Sequence, residues 1–221
     1  MAYVKRLLAK GAIIKTHPYN DFSPLGWAII TGHKKIARLL QHHGASVYPY
    51  NKDETSDLNL AASWGSVRFT KALVEAAPLS AAKDEDERTA LLSAATAGHT
   101  DVVRLLLEHG AKIKPKSRDC EMILWEAAER GFDGVVKILL DHGVSANVRD
   151  DDGTSVLIAA VASHHEKIVR MVLAHGADVT LRGRAPNSPE DGPANDTALG
   201  IATRNGDRHI CEMLRESGAT K

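Results

Sequence analysis

Apolar side chains recur along the chain in a short phrase that has the spacing of an amphipathic helix. In the clearest copies two β-branched residues precede a basic residue and two further apolar residues, as in Val102–Leu106, Val135–Leu139 and Ile168–Val172. Apolar positions at i, i+3 and i+4 lie on one face of a helix, so each phrase predicts a helix with one buried side. A glycine follows most copies, where a left-handed residue can end a helix without a Cβ clash.

The pair of residues that ends each of these helices recurs with a fixed period. Successive pairs begin 33 residues apart up to Gly176, and the final pair, Gly218-Ala219, follows after 42 residues. A period of this size is the sequence signature of a repeat architecture, in which each unit is one supersecondary element. The longer last interval indicates an insertion. The pairs begin at Gly11, Gly44, Ala77, Gly110, Gly143, Gly176 and Gly218.

A second, alanine-rich helix is predicted upstream of each phrase. A Ser or Thr opens it in most units and can cap its first turn; these residues are Ser23, Thr89, Ser155 and Thr197. Paired alanines mark where another helix must come close, at Ala61-Ala62, Ala94-Ala95, Ala127-Ala128 and Ala159-Ala160. Each unit is therefore helix, tight turn, helix and loop. Two short helices cannot bury their apolar faces alone, so the units are expected to stack into one core.

The segment Thr89–Ala111, which reads TALLSAATAGHTDVVRLLLEHGA, resembles the ankyrin-repeat consensus almost position for position. The resemblance runs through essentially the whole chain in the same register. Lys83-Asp84 and Asn147–Asp150 resemble the β-turn fingers of that family. The resemblance implies an all-α fold, a right-handed ankyrin-repeat solenoid of helix-turn-helix units. It also implies that the β-turn fingers and the first, inner helices form a concave binding face.

In this register the whole of residues 1–221 is predicted to be a single ankyrin-repeat array. Residues 1–12 are expected to form a half repeat, whose apolar residues Leu7 and Leu8 lack a partner toward the N-terminus. Residues 178–221 are expected to form a C-terminal capping repeat with an inserted, Pro- and Gly-containing loop at 182–196, which is either functional or neutral. The full repeats between them are predicted at about 13–45, 46–78, 79–111, 112–144 and 145–177.

Two of these repeats depart from the family pattern. In the fifth, near Ser117, Met122–Trp125 replaces the Thr-Pro-Leu-His phrase, which predicts loss of the hydroxyl cap and puts an indole where the family has histidine. In the third, Ser56–Asn59 occupies the phrase. Local specialisation for binding and simple drift of the cap are both open interpretations.

Composition and charge restrict the classes of function that the chain is expected to have. The chain has 28 Lys plus Arg and 28 Asp plus Glu, so its formal net charge is zero and no global field favours nucleic acid. No apolar run approaches the roughly 20 residues that a membrane span needs, and no secretory signal is recognisable. Two cysteines 91 residues apart, Cys120 and Cys211, give neither a disulfide framework nor a metal spacing. We therefore expect an intracellular protein, cytoplasmic or nuclear, without membrane or nucleic-acid binding.

The eleven histidines do not define a metal or catalytic site. Seven follow the repeat and are expected to satisfy loop carbonyls or to lie near helix C-termini, where a cation is favoured; they are His33, His43, His99, His109, His142, His165 and His175. His164-His165-Glu166 has no second His four residues on, as a zinc-protease helix would. With no nucleophile-elbow or phosphate-loop motif, the sequence predicts no catalytic residue, no metal and no cofactor.

Projecting the repeat onto the family's concave face gives the candidate binding residues. Aromatic residues concentrate in the N-terminal part and charges of both signs in the later fingers, a division typical of energetic anchors and orienting contacts respectively. The alternative is that Phe22 and Trp27 pack beneath the missing first helix and that the charged runs are solvated turns. The predicted partner-binding residues are Tyr19, Phe22, Tyr50, Lys52, Asp53, Trp64, Glu85, Arg88, Arg118, Trp125, Glu129 and Arg130.

These observations favour a protein-interaction scaffold that binds another protein on the finger and inner-helix surface. The competing hypothesis is a small-molecule binder or enzyme with a pocket around the irregular third and fifth repeats, where Glu129 would act as an acid. A pocket of that kind would hold a carboxyl group with a raised pKa. The chain is expected to be a monomer, or a dimer through the N-terminal face that carries Leu7 and Leu8.

Overall fold

A computed structural model of the chain describes residues 2–14, 22–46, 56–76, 84–184 and 196–220, without the side chains of 84–89. The regular secondary structure of these ranges is almost entirely helical, which confirms the all-α prediction. The helices in chain order are α1 (Ala2–Ala9), α2 (Pro24–Ile30), α3 (Lys34–His42), α4 (Asp57–Ser63), α5 (Val67–Ala76), α6 (Asp84–Thr96), α7 (Thr100–Glu108), α8 (Arg118–Arg130), α9 (Asp133–Asp141), α10 (Val156–Ala162), α11 (Glu166–Ala174), α12 (Ala198–Asn205) and α13 (Arg208–Glu216). Two short strands, β1 (Arg182–Gly183) and β2 (Asp196–Thr197), form an antiparallel ladder.

Residues 1–112 form one compact unit. Its antiparallel helix pairs are α2 with α3, α4 with α5, and α6 with α7. The inner helix α4 packs on α6, while the outer helix α5 packs on both α2 and α7. The predicted alanines Ala61, Ala62 and Ala94 are completely buried in these contacts. Small side chains at these positions allow neighbouring helix backbones to approach closely.

Residues 113–221 form a second compact unit with the same arrangement. The helix α10 lies at its centre and packs on α8, α11 and α12, while α11 also contacts α9 and α13. The first six of the seven residues of α10 are buried, in agreement with its continuous apolar sequence. Of the two free cysteines, Cys120 lies on α8 and Cys211 on α13, and both are buried.

Hydroxyl caps begin most of the inner helices, as predicted at Ser23, Ser155 and Thr197. The prediction for Thr89 is wrong, because α6 begins five residues earlier and places Thr89 inside the helix. The predicted loss of a cap in the fifth repeat is also wrong, since Ser117 Oγ accepts a hydrogen bond from the backbone nitrogen of Cys120 at 3.4 Å. In both repeats the inner helix has 13 residues instead of the usual seven or eight, so it replaces part of the expected finger.

A finger of the predicted type is present in the sixth repeat. Arg149 pairs with Ser155 as an isolated antiparallel bridge, and Gly153 takes a left-handed conformation in the turn between them. The carboxylate of Asp150 accepts hydrogen bonds from the backbone nitrogens of Asp152 at 3.0 Å and Thr154 at 2.7 Å, which fixes the turn. By contrast, the predicted finger at Lys83-Asp84 is wrong for Asp84, which is the first residue of α6.

The predicted insertion is bracketed by the β1–β2 ladder, in which Arg182 lies opposite Thr197 and Gly183 opposite Asp196. The flanking strands therefore close the ends of the insertion, while residues 185–195 lie outside the described part of the chain. The hydroxyl of Thr154 donates to the carbonyl oxygen of Arg184 at 2.8 Å, so the sixth repeat supports the start of the insertion.

Candidate functional site

A cluster of four aromatic rings lies in the first unit, with Phe22 at its centre. Phe22 makes edge-to-face contacts with Trp27, Trp64 and Phe69 at centroid distances of 5.7, 5.1 and 5.9 Å. Only 2% of Phe22 is exposed, so the expectation that it stands on the surface as a binding residue is wrong. It precedes the capping Ser23, and its ring fills the space beneath the neighbouring rings instead of pointing into solvent.

The outer side of this cluster is exposed. Trp64 is 51% exposed and Trp27 45% exposed, and Val67 at the start of α5, three residues after Trp64, is also exposed. We call Trp27, Trp64 and Val67 the aromatic patch. Large apolar side chains with one face in water and the other on a buried ring are held rigidly, which lowers the entropy lost when a partner covers them.

Local backbone geometry fixes the position of Trp64. It is the C-cap residue of α4, and its backbone nitrogen donates to the carbonyl oxygen of Leu60 at 3.0 Å. Gly65 follows with a φ of +69°, and the imidazole of His99 lies so close that a Cβ on Gly65 would come within 2.5 Å of it. The imidazole of His99, in the next repeat, therefore restricts the turn after Trp64.

Trp64 is among the predicted binding residues, whereas Trp27 is named only in the alternative, in which it packs beneath the missing first helix. Trp27 lies one turn into α2, where the repeat pattern gives no reason to expect an exposed ring. Four predicted binding residues, Tyr19, Tyr50, Lys52 and Asp53, lie outside the described residues. Glu85 and Arg88 lie within α6, in the stretch whose side chains are not described. Their assignment to binding stays a prediction.

In the second unit, Arg118 connects the fifth repeat to the finger of the sixth. It is the first residue of α8, and its guanidinium forms an ion pair with Asp151 and donates to the carbonyl oxygen of Arg149 at 3.3 Å. Arg118 therefore does not belong to a finger of its own repeat, because the helix begins there. It still presents charge next to the finger at 149–155.

The indole nitrogen of Trp125 forms a hydrogen bond within the protein. Its indole Nε1 donates a hydrogen bond to the carbonyl oxygen of Thr154 at 2.9 Å, and the ring is half-buried. The indole thus joins the fifth repeat to the sixth. The neighbouring Glu126 accepts a hydrogen bond from Arg130 at 3.0 Å, one turn along the same helix. These contacts engage two residues of the fifth repeat, around which the small-molecule hypothesis placed a pocket.

Arg130 is exposed and lies over the ring of Phe132, with 4.6 Å from the guanidinium carbon to the ring centroid. Phe132 occupies the turn position where other repeats have histidine. Glu129 is half-buried, and its backbone carbonyl oxygen lies 3.0 Å from Nε2 of His165. Glu129 and Arg130, two of the predicted binding residues, lie on the last turn of α8. Arg130 is the more exposed of the two.

Two of the three turn histidines, His99 and His165, contact backbone carbonyls, as the repeat pattern predicted, whereas Nδ1 of His33 lies 2.7 Å from the hydroxyl oxygen of Thr31. His99 Nε2 lies 3.0 Å from the carbonyl oxygen of Ser63, and His165 makes the corresponding contact with Glu129. The histidines before the helix-ending glycines hydrogen-bond with the carbonyl four residues earlier, at 2.7 to 2.9 Å; these are His109, His142 and His175. His164, which the pattern left unexplained, lies 2.8 Å from the carboxylate of Asp207 and so contacts the last repeat.

Three surface carboxylates among the described residues have lowered pKa values. A hydrogen bond from Lys167 lowers the pKa of Asp133, and one from Lys137 lowers the pKa of Asp141. Hydrogen bonds from Thr180 lower the pKa of Asp178. A lowered pKa keeps a carboxyl group ionised, so these three groups are unsuited to act as general acids near neutral pH. Within the described ranges, no three His, Cys, Asp or Glu side chains come together as a metal site requires.

Among the described residues of the first unit, concave space takes the form of open grooves. One of these grooves has a volume of about 430 Å³ and is lined by residues of α2, α3 and α5. Its walls include Ala28, Ala37 and Ala72, and none of the aromatic patch residues lines it. No helix in the described part of the chain combines the length and apolar character needed to cross a membrane.

Comparisons with known proteins agree with this architecture. A single ankyrin-repeat model matches residues 20–52, and a model of three consecutive ankyrin repeats matches residues 47–119 and 114–183. The chain belongs to the ankyrin-repeat family. Domains of this family generally mediate protein–protein interactions. None of the curated proteins compared with the sequence is similar enough to count as a match.

Ankyrin-repeat domains of known structure resemble the chain over most of its length. The ankyrin-repeat domain of Bcl-3, a member of the IkappaB protein family, is 27% identical with a TM-score of 0.67, covering 97% of this chain and 91% of that one. The human ASB11 ankyrin-repeat domain is 25% identical with a TM-score of 0.59, covering 90% and 85%. An ankyrin-repeat domain from Acinetobacter baumannii is 25% identical with a TM-score of 0.64, covering 89% and 98%.

Proposed function

We propose that this ankyrin-repeat chain is a protein-interaction scaffold and that the aromatic patch of Trp27, Trp64 and Val67 anchors its partner. The observation that carries the proposal is the half-exposed ring of Trp64 resting edge-on against the buried ring of Phe22. Tryptophan is the residue type most enriched among side chains that dominate binding energy, and such residues are held in place before the partner arrives.

The distribution of exposed apolar groups supports this location. Among the described residues, every large apolar side chain that is strongly exposed lies between residues 3 and 67. In the second unit the exposed side chains at helix starts and at the finger are charged, as at Arg118 and Asp151. A partner protein with an apolar anchor for the aromatic patch would match the first of these features.

The experiment is an unbiased pull-down with the intact chain, followed by affinity measurement for each protein recovered. Trp64→Ala is expected to weaken binding of the true partner by about thirtyfold, the loss typical of a tryptophan anchor. Tyr3→Ala is the matched control, because Tyr3 is an aromatic residue with 63% exposure that lies outside the patch. Thermal unfolding by circular dichroism must show both variants folded.

Two results would overturn the proposal. One is a partner whose affinity is the same for wild type and Trp64→Ala while the variant remains folded. The other is a parallel metabolite screen in which a small molecule, and no protein, binds the chain specifically, since this outcome would support the small-molecule alternative.

A further inference from the structure

The outer helix of the second repeat carries positive charge that the described chain does not neutralise. Lys34, Lys35 and Arg38 are exposed on α3, and none of them forms an ion pair or a side-chain hydrogen bond with another described residue. Residues 2–14 and 22–46 together contain six Lys or Arg and no Asp or Glu, although the chain as a whole is neutral. The positive charge is therefore local to the first two repeats.

In three later outer helices, the basic residue at the position of Arg38 has a partner. In α5, α9 and α11 this residue pairs with a carboxylate four residues away on the same helix. These pairs are Lys71–Glu75 at 3.9 Å, Lys137–Asp141 at 2.8 Å and Arg170–Glu166 at 2.8 Å. The corresponding residue of α3 is Arg38, whose neighbours at four residues' distance are Lys34 and His42. Like charges at this spacing destabilise a helix.

The placement of Lys34 and Lys35 is unfavourable for a second reason. Both lie in the first turn of α3, where the helix dipole is positive and lysine side chains are disfavoured. The N-cap residue His33 makes no side-chain cap hydrogen bond that would offset this. The helix thus lacks the negative charge that both its dipole and its side chains favour, and a partner can supply it.

The open groove of about 430 Å³ lies directly beside these charges. Lys34 and Arg38 line one side of it, and its small apolar lining residues are Ala28, Ala37, Ala72 and Ala76. Its other side includes Glu75, which is the partner of Lys71. The groove therefore has room for an apolar side chain between Lys34 and Arg38 on one side and Glu75 on the other.

We propose that Lys34, Lys35 and Arg38 form a second docking surface, which binds an acidic helical segment of a partner protein and takes one of its apolar side chains into the alanine-lined groove. This surface differs from the aromatic patch in both its residues and its chemistry. A phosphate backbone has no apolar group for the groove. A bilayer would require large exposed apolar side chains, and α3 has none.

The test uses the intact chain and a fluorescein-labelled helical peptide in which glutamates flank leucines spaced four residues apart. Fluorescence anisotropy should show binding that weakens as salt rises, because exposed charges are screened over about 10 Å at 0.1 M salt. A twin peptide with Gln in place of every Glu should bind about tenfold more weakly. The triple variant Lys34→Gln, Lys35→Gln, Arg38→Gln should likewise lose about tenfold in affinity for the acidic peptide.

The matched control is Lys137→Gln, Lys167→Gln, Arg170→Gln, which removes the same charge from outer helices whose basic residues are already paired. It should leave peptide affinity unchanged. The α3 triple variant should unfold at the same or a slightly higher temperature than wild type, because it removes the repulsion between Lys34 and Arg38. Trp64→Ala should not affect the peptide.

The proposal is overturned if the acidic peptide does not bind, if the neutral twin binds equally well, or if both triple variants lose affinity equally. It is also overturned if a short DNA duplex or phosphatidylserine-containing vesicles bind more tightly than the peptide and lose binding in the α3 triple variant. Those last outcomes would identify the surface as one for nucleic acid or membrane.

Discussion

The carboxylate of Asp57 accepts two hydrogen bonds from Ser23, one from its backbone nitrogen at 2.6 Å and one from its hydroxyl at 2.5 Å. Both residues are completely buried. The hydroxyl oxygen of Ser23 also accepts a hydrogen bond from the backbone nitrogen of Gly26 at 3.0 Å, so it caps α2 while donating to the next repeat. Asp57 therefore joins the first turns of two successive inner helices.

Asp57→Ala is expected to lower the free energy of unfolding by about 2 to 4 kcal/mol, because it leaves two buried donors of Ser23 without their acceptor. Urea unfolding followed by circular dichroism measures this. Ser56→Ala is the matched control, since it removes only the cap of α4 and should cost about 1 kcal/mol. Equal losses in the two variants would show that the Ser23–Asp57 contact contributes little.

Gly26 is tied to the same contact. A Cβ at this position would lie 2.5 Å from the carboxyl carbon of Asp57, which is buried and hydrogen-bonded and has little room to move. Gly26→Ala should therefore destabilise the chain, although alanine is favoured over glycine in a helix by about 1 kcal/mol. In the double variant with Asp57→Ala, the alanine at 26 should cost much less. Additive losses would contradict this explanation.

The repeat register explains how much of the fold could be predicted. The helix pairs, the buried alanines and the carbonyl-bound histidines each follow from positions within one 33-residue unit. The Ser23–Asp57 contact has no such periodic signal and was missed, because Asp57 departs from the pattern of the other repeats. The early starts of α6 and α8 were also missed, although acidic residues such as Asp119 and Glu121 in the first turn of α8 are a recognised start signal.

For the candidate site, the sequence predicted that aromatic residues lie toward the N-terminus but not which ring faces solvent. Phe22 and Trp27 are five residues apart on the same segment, and only their packing decides that the first is buried and the second is half-exposed. The local basic charge of α3 was hidden by the zero net charge of the whole chain.

Gly131 and Gly176 provide a matched test of the histidine contacts between repeats. Both have φ near +80°, so alanine should cost about 1 kcal/mol at either position through backbone strain alone. A Cβ at Gly131 would also come within 2.6 Å of the His165 ring, whereas one at Gly176 would meet nothing within 4 Å. Gly131→Ala is therefore expected to be more destabilising by about 1 to 3 kcal/mol in urea unfolding.

Adding His165→Ala to Gly131→Ala should remove most of that difference, because the clashing ring is gone. If Gly131→Ala and Gly176→Ala unfold at the same urea concentration, the ring does not constrain the glycine, and the turn is held by its backbone alone.

Trp125→Phe is expected to cost about 1 kcal/mol of unfolding free energy, since it removes the indole donor from the carbonyl oxygen of Thr154 while keeping an aromatic ring. Trp64→Phe is the control, because Trp64 is exposed and makes no indole hydrogen bond to another described residue. The same stability for both variants would mean that solvent satisfies the Thr154 carbonyl equally well.

The ion pair of Lys167 with Asp133 joins α11 to α9 and should make stability depend on pH in acid. Its hydrogen bond lowers the pKa of Asp133 below the ordinary value of 3.8 in the folded chain. Between the folded and unfolded pKa values the unfolded chain binds more protons, so stability rises with pH there. The contribution of the pair is complete above the ordinary carboxyl pKa and is lost as the pH falls through the folded value.

Lys167→Met should therefore reduce the melting temperature at pH 6 and reduce it by less at pH 2, because protonation of Asp133 at low pH removes the ion pair. The effect should be small because both side chains are largely solvated. Lys114→Met, which removes an exposed lysine of the same unit that has no ion pair among the described residues, should leave the melting temperature unchanged at both pH values. A loss in Lys167→Met that persisted undiminished at pH 2 would assign its role to packing of the lysine side chain instead of to its charge.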